Sequence, residues 1–169
     1  MTMRRFAAIL AAALLGLASC ASDPARLPLG TTRADALQQL GAPTAVYPRP
    51  GGGERLQYSR QPAGFEVNDV DLDASGRVVA VTQVMNEGQF ARDILVDAWR
   101  VPDVLYTYGR PEQVTRVSSF DGDVWQWRYL QANNPRLLYI YIDPQGVVRR
   151  WHMGDDLRFV PGNLNGDRN

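Results

Sequence analysis

The chain has 169 residues, enough for one ordinary globular domain or two small ones. Its 18 basic and 18 acidic residues cancel, so there is no basic stripe for nucleic acid and no acidic run that would mark a disordered tail. Every basic residue is arginine, and there is one histidine, His152, and one cysteine, Cys20. That inventory excludes lysine-based covalent chemistry, a disulfide within the chain and a histidine-rich metal centre, and no cofactor is expected.

The chain opens on an export signal: Arg4 and Arg5 precede an apolar run of 12 residues, Phe6 to Leu17, then small residues and Cys20. That run falls short of the roughly 20 residues a permanent bilayer span requires. Leu17-Ala18-Ser19-Cys20 resembles the lipobox of bacterial lipoproteins, in which the cysteine is acylated and the peptide is cut before it. The resemblance implies a signal peptide over 1–19, an acylated cysteine and tether over 20–28, and a mature chain of 150 residues, 169 less 19. Loss of Arg4 and Arg5 leaves 16 basic against 18 acidic residues, a charge of −2. Two or more acyl chains hold a protein stably on a membrane rather than through it. In the lipoprotein class Ala21, which is not aspartate, implies the periplasmic face of the cell outer membrane.

Beyond the tether the sequence repeats. Gly41-Ala42-Pro43 returns as Gly109-Arg110-Pro111, and the Asp73-Ala74-Ser75-Gly76 turn returns as Asp143-Pro144-Gln145-Gly146, at offsets of 68 and 70. Tyr58 has a counterpart in Tyr129. In chain order, Thr31 and Thr32 cap a predicted helix over Arg33 to Leu40 that Gly41 stops. Strands follow over Arg55 to Ser59, Phe65 to Leu72 and Val78 to Val84. A helix from Phe90 to Trp99 is predicted from four-residue spacing of Phe90, Ile94 and Ala98. Pro102 opens another helix that ends at Tyr108. Strands then run over Trp125 to Leu130, Arg136 to Ile142 and Val147 to Met153, with an extra one at Val114 to Ser118. The expected fold is α+β: two tandem units, 29–88 and 89–156, each a helix or two followed by three antiparallel strands, with short helices on one sheet face, and a tail over 157–169. Units of about 60 residues have marginal cores alone, so the two are expected to share buried surface.

These residues resemble the SmpA/OmlA, or BamE-like, family of outer-membrane lipoproteins. The likeness rests on the lipobox, Gly30-Thr31-Thr32, the stop at Leu40-Gly41-Ala42-Pro43, Tyr58, and the turn from Asp73 to Gly76. The tandem form is similar in arrangement to the β-lactamase inhibitory proteins. The second copy departs from the pattern, with Ala98-Trp99-Arg100 at its helix entry. The resemblance implies a non-enzymatic scaffold in outer-membrane protein assembly or envelope integrity. Its implied partners are membrane lipid through Cys20 and another envelope protein, the barrel-assembly machinery among the candidates. The alternative is a periplasmic inhibitor or sensor that takes a secreted enzyme or envelope ligand on a concave sheet.

No catalytic constellation stands out. Asp71-x-Asp73-x-Ser75-Gly76 imitates the start of a calcium loop, but its twelfth position is Thr82 and its flanks read as strands. Asp121-x-Asp123 and Asp155-Asp156 lack a nearby histidine or third carboxylate, and His152 lacks an acid or nucleophile. Gly51-Gly52-Gly53 has no lysine and reads as a loop. The aromatic residues are the remaining signal. Alternation places Trp125, Trp127 and Tyr129 on one strand face and Gln126 and Arg128 on the other. Most of the aromatics are expected in the core, because a small sheet covered on one face needs large side chains to exclude water; the other reading is at least one exposed aromatic patch. Candidate protein-binding residues for such a patch are Trp99, Trp125, Trp127, Arg128, Tyr139, Tyr141 and Trp151, residue types that dominate binding hot spots.

Overall fold

The computed structural model describes residues 23–158. The expected signal peptide over 1–19, Cys20 and all of the tail except Leu157 and Arg158 therefore lie outside the described residues. Among them, no helix is long and apolar enough to cross a membrane.

The fold is α+β, with three short helices and two four-stranded antiparallel sheets. A 3₁₀ turn at Pro24–Arg26 leads into α1 (Arg33–Leu40). The first sheet follows in simple order: β1 (Ala45–Pro48), β2 (Glu54–Ser59), β3 (Val67–Leu72) and β4 (Val78–Gln83). After α2 (Glu87–Asp93) and α3 (Val101–Tyr108) the chain builds the second sheet from β5 (Gln113–Thr115), β6 (Asp123–Gln131), β7 (Asn134–Ile142) and β8 (Val148–Asp155).

The same local chemistry builds both halves. Thr32 caps α1 by accepting the N–H of Asp35, and Gly41 ends it with φ 80°. Arg100 opens α3 by donating its N–H to Asp103 Oδ2, and Gly109 ends it with φ 68°. A Cβ on either stop glycine would be strained at that φ. In the β3–β4 turn Asp73 Oδ1 accepts the N–H of Ser75 and of Arg77; in the β7–β8 turn Asp143 Oδ1 accepts those of Gln145 and Val147. These side-chain bonds lock tight turns and account for both aspartates as turn residues rather than metal ligands. Each turn is also tied to a helix start, by Arg33 N–H to Gly76 O and by Val101 N–H to Gly146 O.

Four sequence expectations require correction. The first sheet has four strands rather than three, because Ala45–Pro48 pairs with β2; the extra strand expected in the second unit at Val114 to Ser118 lies at Gln113–Thr115, paired with β6. The helix predicted over Phe90 to Trp99 ends at Asp93; the chain leaves helical geometry at Ile94, and Asp97 takes φ 64°. The boundary at 88/89 falls inside α2. The tether is not free over Asp23 to Leu27: Pro24 and Leu27 are buried, and the 3₁₀ turn packs on β3 and β4.

Nor do the helices cover one face throughout. Ala36 and Leu40 of α1 pack with Leu56, Val70, Leu72 and Val78 on one side of the first sheet. On its other side sits α3, so every residue of β3 is buried. The second core joins Val104 and Tyr108 of α3 and Phe90 of α2 to Trp127, Leu138 and Ile140, and it also takes in Val67, Val84 and Met85 from the first half. The halves thus share a buried apolar cluster.

Candidate functional site

The candidate residues separate onto opposite faces of the second sheet. Trp125, Trp127 and Tyr129 point toward the helices, as strand alternation requires. Trp127 is fully buried. Its ring lies 6.1 Å from Tyr108, which meets Phe90 at 5.7 Å, and Phe90 meets Tyr129 edge-on at 5.1 Å. Trp99, Trp125 and Trp151 pack around the same cluster, half-buried. These tryptophans form the core and its rim, the placement expected for most of the aromatics, and full burial takes Trp127 out of the candidate contact residues. Edge-to-face geometry adds favourable ring electrostatics to the burial.

On the opposite face β7 and β8 present Tyr139, Tyr141, Arg150 and His152. Tyr139 and His152 are cross-strand partners, and their rings stack at 4.7 Å with 15° between planes. The Arg150 guanidinium sits 3.9 Å above the Tyr141 ring, and Phe120 meets Tyr141 edge-on at 5.2 Å. Tyr141 is largely covered by these neighbours, whereas His152 and Arg150 are exposed. Partial burial, with Arg150 beside it, lowers the His152 pKa and favours the neutral ring. An open face of stacked aromatic rings and a guanidinium is suited to recognition: it has large, rigid contact area and few rotamers to freeze. Sequence reading missed Arg150 and Phe120 and weighed His152 only as a catalytic group. Counting the antiparallel register back from the Asp143–Gly146 turn would have placed Arg150 beside Tyr141 and His152 beside Tyr139.

Arg128 shares that side of β6 but acts as a strut between the halves. Its guanidinium lies over the Phe65 ring at 4.4 Å and donates to Pro62 O, and Nε is 3.4 Å from the buried Asp156 carboxylate. Its backbone N–H and C=O are taken by the Gln61 side chain, at 3.2 and 2.7 Å. Loop 60–66 of the first half is thereby clipped to β6.

The seam between the halves is polar. The C-terminal carbonyls of α3 lie against Arg55, Gln57 and Asp69 of the first sheet. Gln57 Nε2 donates to Tyr106 O and to Asp69 Oδ1, both at 3.2 Å, and Tyr47 OH donates to Leu105 O at 3.1 Å. Arg55 grips Asp71 through two nitrogens at 2.7 and 3.0 Å and lies 2.9 Å from Asp69. A cation near a helix C-terminus offsets the negative end of the helix dipole. Asp69 is pushed up to about 7, because burial outweighs the attraction of Arg55. Two clefts open along this seam. One of about 460 Å³ is lined by Thr44, Tyr47, Gln57, Gln61 and Arg110; one of about 360 Å³ is lined by Asp69, Asp93, Trp99 and Thr107.

The carboxylates and the histidine do not converge. Asp121 and Asp123 line a third cleft with Arg116 and Asp143, and His152 is not among its walls. Asp123 pairs with Arg116 at 2.9 Å. Among the described residues no three His, Cys, Asp or Glu side chains are grouped to hold a metal ion.

No protein-family model matches the sequence, and no curated protein matches it. Among solved structures, the chain is matched to a DUF4309 family protein, YjgB, from Bacillus subtilis subsp. subtilis str. 168. The identity is 11%, the TM-score 0.30, and the match covers 74% of this chain and 78% of that one.

Proposed function

We propose that the chain is a non-enzymatic outer-membrane lipoprotein, a protein-binding scaffold in outer-membrane protein assembly or envelope integrity, built from two tandem units of the SmpA/OmlA type. The observation that carries this reading is the order Arg4-Arg5, a 12-residue apolar run, and Leu17-Ala18-Ser19-Cys20, which gives the single cysteine a use. The duplication is supported by matching bonds in the two halves: paired glycine stops at 41 and 109, and paired aspartate turns at 73 and 143.

The anchor has a geometric consequence. Asp23 begins the packed 3₁₀ turn and is three residues from Cys20, so at most about 11 Å of extended chain separates the acylated residue from the folded body. The first sheet is held close to the bilayer, and the open face of the second sheet, with Tyr139, Arg150 and His152, serves the protein partner.

Cell fractionation of Cys20→Ala tests the anchor. The wild-type chain is expected with the outer membrane and the variant in the soluble periplasm. A variant that stays with the membrane in high salt and after removal of bound proteins contradicts the lipid attachment.

A further inference from the structure

The second sheet ends on β8, and the alternation of hydrogen bonds across that sheet identifies which groups its free edge exposes. Glu112 N–H donates to Gln126 O, and Arg128 exchanges bonds with Gln61, so even-numbered residues of β6 point away from β7. Odd-numbered residues of β6 therefore bond to β7, and the even-numbered partners of β7, Ile140 and Leu138, bond back. Tyr139 and Tyr141 then bond to His152 and Arg150 of β8. Asp156 N–H donating to Pro135 O agrees with even-numbered residues facing inward there. The backbone groups of Trp151, Met153 and Asp155 are left pointing outward, with no partner among the described residues.

The remaining edges are better protected. β1 has four residues and ends in Pro48; β5 has three. β4 carries the 3₁₀ turn against it and is tied at Val78 by Gly30 and Thr31. On β8 such cover stops at Val148, which bonds to Asp97 and Trp99. An open edge of this length is a template for another strand.

The edge is also complementary to itself. We propose that β8 pairs antiparallel with β8 of a second copy of this chain, about a two-fold axis through His152, to make one eight-stranded sheet. In that register the outward groups of Trp151 meet those of Met153 in the other copy, and Arg149, the bulged residue of β8 between Val148 and Arg150, falls beside Asp155 twice. A one-residue slip in the sum of paired numbers would set outward groups against inward ones. A two-residue slip keeps the hydrogen bonds and loses the Arg149–Asp155 match, so charge selects the register. Arg149 already holds Asp97 and Asp143, and Asp155 holds Arg136, but the side chains of Arg149 and Asp155 themselves stay exposed and can take a further opposite charge. On the helix-covered side, half-buried Trp151 and Met153 complete their burial against the partner's Met153 and Trp151. The isologous symmetry closes the assembly at two.

The test uses the full chain in a Cys20→Ala background, so that an introduced thiol is the only one. His152→Cys places two thiols at a non-hydrogen-bonded antiparallel pair, where Cα atoms are about 4.5 Å apart and a disulfide fits. Mild oxidation is expected to give a covalent dimer for His152→Cys and not for Arg150→Cys, which would face Gly154. Sedimentation should give twice the chain mass for the parent. Met153→Pro removes an outward N–H without costing a bond to β7, and should leave a monomer. Arg149→Asp should raise the dimer dissociation constant about tenfold or more, and adding Asp155→Arg should restore it. The charge pair keeps the test decisive if Met153→Pro does not fold. A parent that is monomeric throughout, or a dimer that ignores Met153→Pro and yields no His152→Cys disulfide, overturns the proposal; so does co-purification of a different strand on β8 in place of a second copy.

Discussion

The two sheets use the same turns and the same helix stops, yet the faces they turn toward α3 are opposite in character. The first presents Arg55, Gln57, Asp69 and Asp71; the second presents Trp127, Tyr129, Leu138 and Ile140. Apolar burial on the second sheet is non-directional and supplies most of the driving force. The polar face of the first fixes where the end of α3 sits on the sheet, because the carbonyls of Leu105 and Tyr106 need donors at set positions. One face gives stability and the other gives register.

The largest effect that would break this contrast is expected at Trp127. Truncation to alanine should cost about 3–5 kcal/mol in denaturant unfolding. Because Val67 and Val84 of the first half share that cluster, both halves should be lost in a single transition. Two separated transitions, read by different probes, would show the halves to be independent.

Next in size is Gln57→Ala, which strips donors from the end of α3 and from Asp69 while leaving the apolar core intact. The expected cost is about 1–3 kcal/mol, the penalty for leaving buried acceptors unpaired. A variant as stable as the wild type would remove the case for a polar register.

Asp69 sharpens the contrast through pH. Its folded pKa, near 7, lies above the ordinary value of 3.8, so between about pH 4 and pH 7 the folded chain holds a proton that the unfolded chain releases. Stability therefore falls as pH rises through that window. Asp69→Asn keeps an acceptor for Gln57 and carries no charge, so its stability relative to wild type should climb by more than about 1 kcal/mol from pH 4 to pH 8. A constant difference would contradict the burial argument. The smallest effect belongs to Arg116→Ala, which removes a solvent-screened, exposed pair with Asp123 and should leave the denaturant midpoint unchanged.

Much of the framework was legible in the sequence because local chemistry specifies it. Gly41 and Gly109 end helices, and Asp73 and Asp143 close turns with their own side chains, so α1, α3 and the inner strands could be placed from nearest neighbours. β1 was not legible: Ala45–Pro48 is four residues between prolines and exists through its pairing with β2. The alternation at Gln126 and Arg128 was read correctly, but which side is covered depends on α3 lying between the sheets, a long-range packing decision. The open face at Tyr139 and His152 required a cross-strand register, and Arg128 looked like a contact residue because nothing local reveals loop 60–66 clipped beneath it.

The central claim is a lipid-held surface that binds an envelope protein through the open side of the second sheet. The most direct measurement is photo-crosslinking in intact cells from an unnatural side chain at Tyr139, which lies on that face beside His152 and one strand in from the β8 edge. The account predicts a discrete adduct with another envelope protein that is lost when Cys20 is replaced by alanine. A chain abundant in the membrane fraction that forms no adduct from Tyr139, while a probe on another exposed surface does, would contradict it.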